Sequence, residues 1–141
     1  PHLPYAMAKD ALHRQLRFLA AERPFALVWA RLFYLHGAGQ RDSTLFAHLA
    51  RAIADGRPCF DMSGGEQLRD YLPVEEAAAQ LVAALRSGAT GAVNVCSGRP
   101  RSVRALVERA VAEAGARIEL NLGARPYPAH EPMAFWGRKG A

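Results

Sequence analysis

The chain has 141 residues, of which 50% are hydrophobic and 22% charged, enough to bury the core of one soluble globular domain. Its longest unbroken apolar run, Phe25 to Ala30, falls far short of the roughly 20 residues that a membrane-spanning helix needs, so no membrane role is expected. The net charge of +5 is spread along the chain and broken by acidic residues, and no reading motif accompanies it, so nucleic acid is not an expected partner. Cys59 and Cys96 are too few and too isolated for a disulfide framework, and no leader pattern opens the chain. The expected compartment is therefore a reducing cytoplasm. The chain begins at Pro1, and its first strong feature follows at once, which suggests a fragment of a longer protein.

Leu12, Leu16 and Leu19 recur at helical spacing between Tyr5 and Glu22, and Pro4 suits the first turn because its missing N–H is not needed there. Arg23-Pro24 stops this helix, and Phe25 to Ala30 reads as a strand covered on both faces, the kind found in parallel sheets. Gly37 and Gly39 make a loop, after which Asp42 or Ser43 is expected to cap a helix that turns Leu45, Phe46, Leu49 and Ile53 inward and ends at Asp55-Gly56. Two short strands, near Cys59 to Met62 and Leu68 to Val74, flank a Gly64-Gly65 turn. Glu75 and Glu76 then open a helix that Gly88 closes. Ala92 to Cys96 is read as a strand, and Ser102 as the cap of a helix burying Leu106, Val107, Ala110 and Val111. A last strand is expected from Arg117 to Leu120, and the remainder as loop anchored by Phe135 and Trp136. Helices alternating with short apolar strands indicate an α/β architecture.

On a helical wheel Tyr5, Lys9, Leu12, Leu16 and Leu19 share one side, so the tyrosine and lysine are expected on the face the leucines bury. An ammonium turned toward a core needs a partner or a role. Sixteen arginines and two lysines make up the 18 basic residues, so Lys9 stands where the general preference for arginine has not operated. Arginine cannot serve as a compact point charge in a tight site. A phenol is a poor acid or base at neutral pH, and a cation one helical turn away favours its ionised form. Tyr5 is thereby equipped to exchange a proton with a substrate hydroxyl. The alternative is a helix-start aromatic beside a lysine that snorkels to solvent.

With the segments that follow, Pro4-Tyr5-Ala6-Met7-Ala8-Lys9 resembles the active-site helix of the extended short-chain dehydrogenase/reductases, the NAD-dependent nucleotide-sugar epimerase/dehydratase family. Arg31 to Gly39 is similar to that family's R-x-x-N-V-Y-G-P-G, Arg69-Asp70-Tyr71-Leu72-Pro73-Val74-Glu75-Glu76 to its R-D-[FWY]-x-x-V-x-D, and Asn94 to Gly98 with Ser102-Val103 to its N-x-G-S-G and capped helix. The resemblance implies the carboxyl-terminal part of a doubly wound, Rossmann-like parallel sheet plus a small mixed α/β substrate-binding region. Residues 1–57 would end the former, and 58–141 would form mostly the latter. It implies NAD or NADP as cofactor and a nucleoside-diphosphate sugar as substrate. Tyr5 would be the catalytic acid/base, and Lys9 would hold the nicotinamide ribose. Phe33 and Tyr34 would line the nicotinamide and sugar pocket, with Tyr34 and His36 facing substrate, and Arg69 would approach the diphosphate, which its forked donors suit. A homodimer through the first helix fits the same resemblance.

Departures bear on the substrate. Tyr34 replaces a common asparagine, His36 a tyrosine, Ala38 a proline and Glu76 an aspartate, so the pocket differs from that of the best-known members. Ser43, His48, His130, Cys59 and Cys96 form no metal-like spacing, and no metal site is expected. Gly37-x-Gly39, Gly64-Gly65 and Gly88/Gly91 lack the strand-to-helix setting of a dinucleotide-binding turn. The chain alone is accordingly expected neither to bind NAD(P) tightly nor to turn over. A sugar-nucleotide-binding or protein-interaction module without hydride chemistry is the competing reading.

Overall fold

The computed structural model describes residues 3–127 and 131–139. Helix α1 (Pro4–Glu22) leads to β1 (Val28–Leu32) and β2 (Tyr34–His36), then α2 (Leu45–Ala54), β3 (Cys59–Met62), β4 (Leu68–Arg69) and β5 (Tyr71–Pro73). Helix α3 (Val74–Arg86), β6 (Gly91–Val95), β7 (Arg101–Ser102), α4 (Val103–Glu113), β8 (Glu119–Leu122) and β9 (Ala134–Phe135) complete the chain. The α/β architecture expected from the alternating pattern is present.

Most strand pairs are parallel, so their partners lie far apart in sequence and are joined by crossovers that carry helices. β1 pairs with β6 from Val28↔Gly91 to Leu32↔Val95, and β2 with β5 from Tyr34↔Tyr71 to His36↔Pro73. β3 pairs with β8, while β4 lies between antiparallel β7 and parallel β9. Two small cores result. Leu72, Ala77 and Val95 bury α3 against β1, β2, β5 and β6, and Leu49, Met62 and Val107 bury α2 and α4 against β3 and β8.

Local chemistry explains the element ends. Ser102 caps α4 by accepting the Ala105 N–H at 3.1 Å, as its position suggests. The α2 cap is Thr44, which accepts the Ala47 N–H at 3.3 Å, and not Asp42 or Ser43, because Thr44 is the residue in extended conformation just before the first helical turn. Gly65 sits at φ +73° with its carbonyl accepting the Arg104 N–H, and a Cβ there would stand 2.9 Å from that same nitrogen. This turn therefore brings β4 against the start of α4 only as glycine.

Strand β1 begins three residues later than the apolar run, because its register is set by Gly91–Val95 across the sheet, and Phe25 is left exposed. The Arg117 strand likewise shifts to Glu119, opposite Cys59. The face of α1 also differs from expectation. Its half-buried stripe is Ala6, Asp10, His13, Leu16 and Ala20, whereas Tyr5, Leu12 and Leu19 are 75%, 42% and 44% exposed. On the half-buried side His13 stacks on Trp29 of β1 at 4.5 Å between ring centroids, a contact with a distant strand that helical spacing does not reveal. No residue of α1 is fully buried.

Asp70 joins the parts. Its carboxylate is fully buried and accepts the backbone N–H groups of Ser97 at 2.7 Å, Gly98 at 2.9 Å and Gly137 at 3.4 Å. Those donors offset the cost of burying the charge and tie the β4–β5 junction to the loop after β6 and to the carboxyl-terminal segment. Asp70→Ala would leave these N–H groups without partners and is expected to lower unfolding free energy by about 3–5 kcal/mol, with Asp70→Asn intermediate. Urea denaturation of the three chains checks the order.

Candidate functional site

The structure places the residues singled out in the sequence in separate places. Tyr5 and Lys9 lie one turn apart on the exposed flank of α1, with the Lys9 ammonium 5.4 Å from the centroid of the Trp29 ring. Neither lines the two cavities described below. Phe33 is half-buried beyond the end of β1 and stacks on Phe135 of β9 at 5.1 Å. Gly137 packs so closely there that a Cβ would stand 2.8 Å from the Phe33 ring and 2.6 Å from the Cys96 sulfur. Only glycine lets this backbone reach Asp70.

Tyr34 and His36 alternate with Leu35 along β2, so both project to the side away from the Leu72 core. Both rings meet Tyr71, at 5.2 and 6.4 Å, and Phe46 of α2 closes edge-on against Tyr71 at 5.1 Å. The parallel register that sets Tyr34 opposite Tyr71 makes this seam.

Arg69 is 2% exposed at the heart of the site. Its guanidinium donates to the Glu131 carboxylate and to the Leu68 carbonyl, each at 2.9 Å, and lies 5.7 Å over the Tyr34 ring. A buried guanidinium requires such partners. Arg69 and Tyr71 form the wall between two cavities. The first, about 610 Å³, runs from Tyr34 and Arg69 past His48, Ser63 and Gln67 to Arg125 and Glu131. The second, about 640 Å³, includes His36, Gln40, Phe46 and Glu76. Both fall within the roughly 300–1,000 Å³ typical of small-molecule sites. Tyr34 thus faces the first and His36 the second, although one strand carries both.

Tyr71, Arg125 and Glu131 escaped the sequence reading. Tyr71 carried a signal, since it sits within the Arg69-Asp70 motif, whereas Arg125 and Glu131 reach the site only through the pairing of β8 and β9 with distant strands. Cys96 is buried, and burial followed by the neighbouring Asp70 charge raises its thiol above the ordinary value, so it is a packing residue and not a nucleophile. Among the described residues no group of His, Cys, Asp and Glu could hold a metal; His130 lies outside them. No helix among them is long and apolar enough to cross a membrane.

Residues 1–96 match the family model for the NAD dependent epimerase/dehydratase family. The chain is 29% identical over 140 residues to dTDP-6-deoxy-L-talose 4-dehydrogenase (NAD(+)) of Aggregatibacter actinomycetemcomitans, covering 99% of this chain and 52% of the relative. It is 33% identical over 114 residues to GDP-6-deoxy-D-mannose reductase of Pseudomonas aeruginosa, covering 77% and 38%. Among solved structures it resembles RMD from Pseudomonas aeruginosa complexed with NADPH, at TM-score 0.78 and 27% identity over 89% of this chain and 45% of that one. UDP-N-acetylglucosamine 4-epimerase from Methanobrevibacter ruminantium M1 superposes at TM-score 0.83 with 23% identity over 99% and 46%, a likeness of fold. The chain therefore spans about half the length of its relatives or less, and its fold is the Rossmann-like α/β fold of those enzymes.

Burial first, and then the Tyr34 phenol, push the Tyr71 hydroxyl up from 10.0 to about 12, with Arg69 pulling the other way. The Tyr71 phenol is therefore harder to ionise than an ordinary tyrosine. Between pH 10.0 and about 12 the folded chain keeps a proton that the unfolded chain releases, so stability falls as pH rises through that window. Tyrosinate absorbance should show one of the four tyrosines ionising late, and Tyr71→Phe should remove that step and flatten the alkaline loss of stability.

Proposed function

We propose, from the premise that this chain belongs to the NAD dependent epimerase/dehydratase family, that it is the carboxyl-terminal, substrate-side half of an NAD(P)-dependent enzyme acting on a nucleoside-diphosphate sugar. The reaction is epimerisation, dehydration or reduction of the sugar through oxidation or reduction at carbon. The observation that carries this reading is the placement of Tyr5 and Lys9 one turn apart on an exposed flank of α1, in a chain whose buried Arg69 lines a cavity of nucleotide size.

Tyr5 acts as the acid/base. Its phenolate oxygen takes the proton of a substrate alcohol, or its hydroxyl returns one, with the Lys9 ammonium one helical turn away. The donor set, a phenol and an ammonium on one helix flank, suits the paired hydroxyls of a nicotinamide ribose, and Lys9 would hold them. When bound, the nicotinamide supplies the hydride chemistry. Phe33 and Tyr34 form the wall beside it. In the first cavity Arg69 meets the diphosphate, whose negative charge would share or replace Glu131, and Arg125 supplies a second guanidinium. Tyr34 stands toward the sugar in that cavity, whereas His36 would have to reach it from the second cavity, across the Tyr71 wall.

In this reading residues 1–57 end the Rossmann-like part and 58–141 form mostly the substrate-binding region, with β1–β6 and β2–β5 joining the two. The exposed leucines of α1 are covered in the intact protein, by its remaining half or by a second copy in a homodimer. A cytoplasmic setting fits the unpaired thiols of Cys59 and Cys96.

Two outcomes check the proposal. In the intact enzyme Tyr5→Phe should lower kcat by about 10²–10⁴-fold with little change in sugar-nucleotide binding, and near-normal turnover would refute the acid/base assignment. The 141-residue chain alone, with no glycine-rich pyrophosphate turn, should give no saturable change in nicotinamide fluorescence at micromolar NAD(P)H.

A further inference from the structure

We infer that Trp29 and His13 are positioning residues that hold the Lys9 ammonium in place through the face of an indole. The inference rests on the role given to Lys9 above and adds the device that sets its position. Lysine stems are long and mobile, and a single ammonium on an exposed helix flank samples many rotamers. Here the ammonium stands 5.4 Å from the Trp29 ring centroid, within the roughly 6 Å at which an indole face attracts a cation.

The ring is itself fixed. Trp29 lies in β1, held by its parallel pairing with Ala92 of β6, and its side chain is half-buried. His13, one turn beyond Lys9 on α1, stacks on it at 4.5 Å with only 16° between the planes. Helix and strand therefore clasp one indole through two successive turns of the same helix flank, and that clasp is the described aromatic contact between α1 and the rest of the chain. The Lys9 residue stays exposed, so the N–H groups not turned to the ring remain directed at solvent, where ligand hydroxyls would arrive. An aliphatic side chain at position 29 would fill the strand but offer the ammonium no quadrupole. Tyr5, one turn earlier, would then lose a cation at defined distance.

The test has two readouts. Lys9 and Lys139 are the only lysines, so the ε-methylene NMR signals of the 141-residue chain form a two-member spectrum assigned with Lys9→Arg. The Lys9 signal is expected upfield of Lys139 by the ring current of the indole. Trp29→Leu should abolish that displacement, Trp29→Phe should keep part of it, and His13→Ala should reduce it. A Lys9 signal at the solvated position in the unsubstituted chain overturns the inference without any need for a variant, as does one indifferent to Trp29→Leu in a chain whose remaining signals stay dispersed. In the intact enzyme Trp29→Leu should lower kcat by about 2- to 30-fold, the span that cation–π energies cover, with KM for the sugar nucleotide unchanged and Trp29→Phe restoring most of the loss. Equal loss in Leu and Phe variants would mark Trp29 as packing alone. Should the ring-current shift be present while Tyr5→Phe retains activity, the positioning stands and the acid/base reading falls.

Discussion

A buried carboxylate organises this chain. Asp70 has no exposed surface, and three backbone N–H groups from two distant segments converge on it. An isolated charge in that position would cost several kcal/mol, so the surrounding loops adopt whatever conformation delivers donors to it. Ser97-Gly98 turns sharply after β6, and Gly137 gives up its side chain to pass between Cys96 and Phe33. Gln80 adds a second clasp on the same loop, accepting from the Cys96 N–H at 3.2 Å and donating to the Cys96 carbonyl at 3.1 Å. Asn94 holds the tail once more by donating to the Arg138 carbonyl.

Arg69 inherits its position from that knot. It adjoins Asp70 between β4 and β5, and the tail that Gly137 fastens also carries β9 and Glu131. A guanidinium buried to this degree is fixed in direction by its carboxylate and carbonyl partners and by the Tyr34 face beneath it. Fixed donors lining a cavity are what recognition of a planar or tetrahedral oxyanion calls for. By contrast α1 has no fully buried residue, meets β1 through His13 and Trp29, and offers Leu12, Leu19 and Tyr5 outward. The proposed catalytic pair and the proposed substrate cavity thus belong to differently secured parts, consistent with a chain that spans about half of its relatives or less.

The sequence made the helices and the motif residues legible, because caps, breakers and apolar spacing act within a few residues. Ser102, Gly88 and Asp55-Gly56 each end or begin an element where local chemistry puts it. What depends on distant partners was not legible. The start of β1 is set by Gly91, the tail becomes strand β9 through Leu68, and the inward side of α1 is the one whose His13 stacks on Trp29 of β1. The same division holds at the site. Arg69 and Tyr34 were readable from their motifs, whereas Arg125 and Glu131 enter the cavity by sheet pairings that no local pattern announces.

If Asp70 fixes Arg69 for the diphosphate proposed to bind there, nucleotide affinity must depend on the Arg69 guanidinium. Calorimetric titration of a panel of nucleoside diphosphates into the chain, beside Arg69→Met, which keeps volume and removes donors, tests it most directly. Saturable binding by at least one nucleotide is expected, weakened about 10- to 150-fold in Arg69→Met, as loss of hydrogen bonds to a charged group requires. Binding that Arg69→Met leaves unchanged, or no saturable heat with any member of the panel, would contradict it.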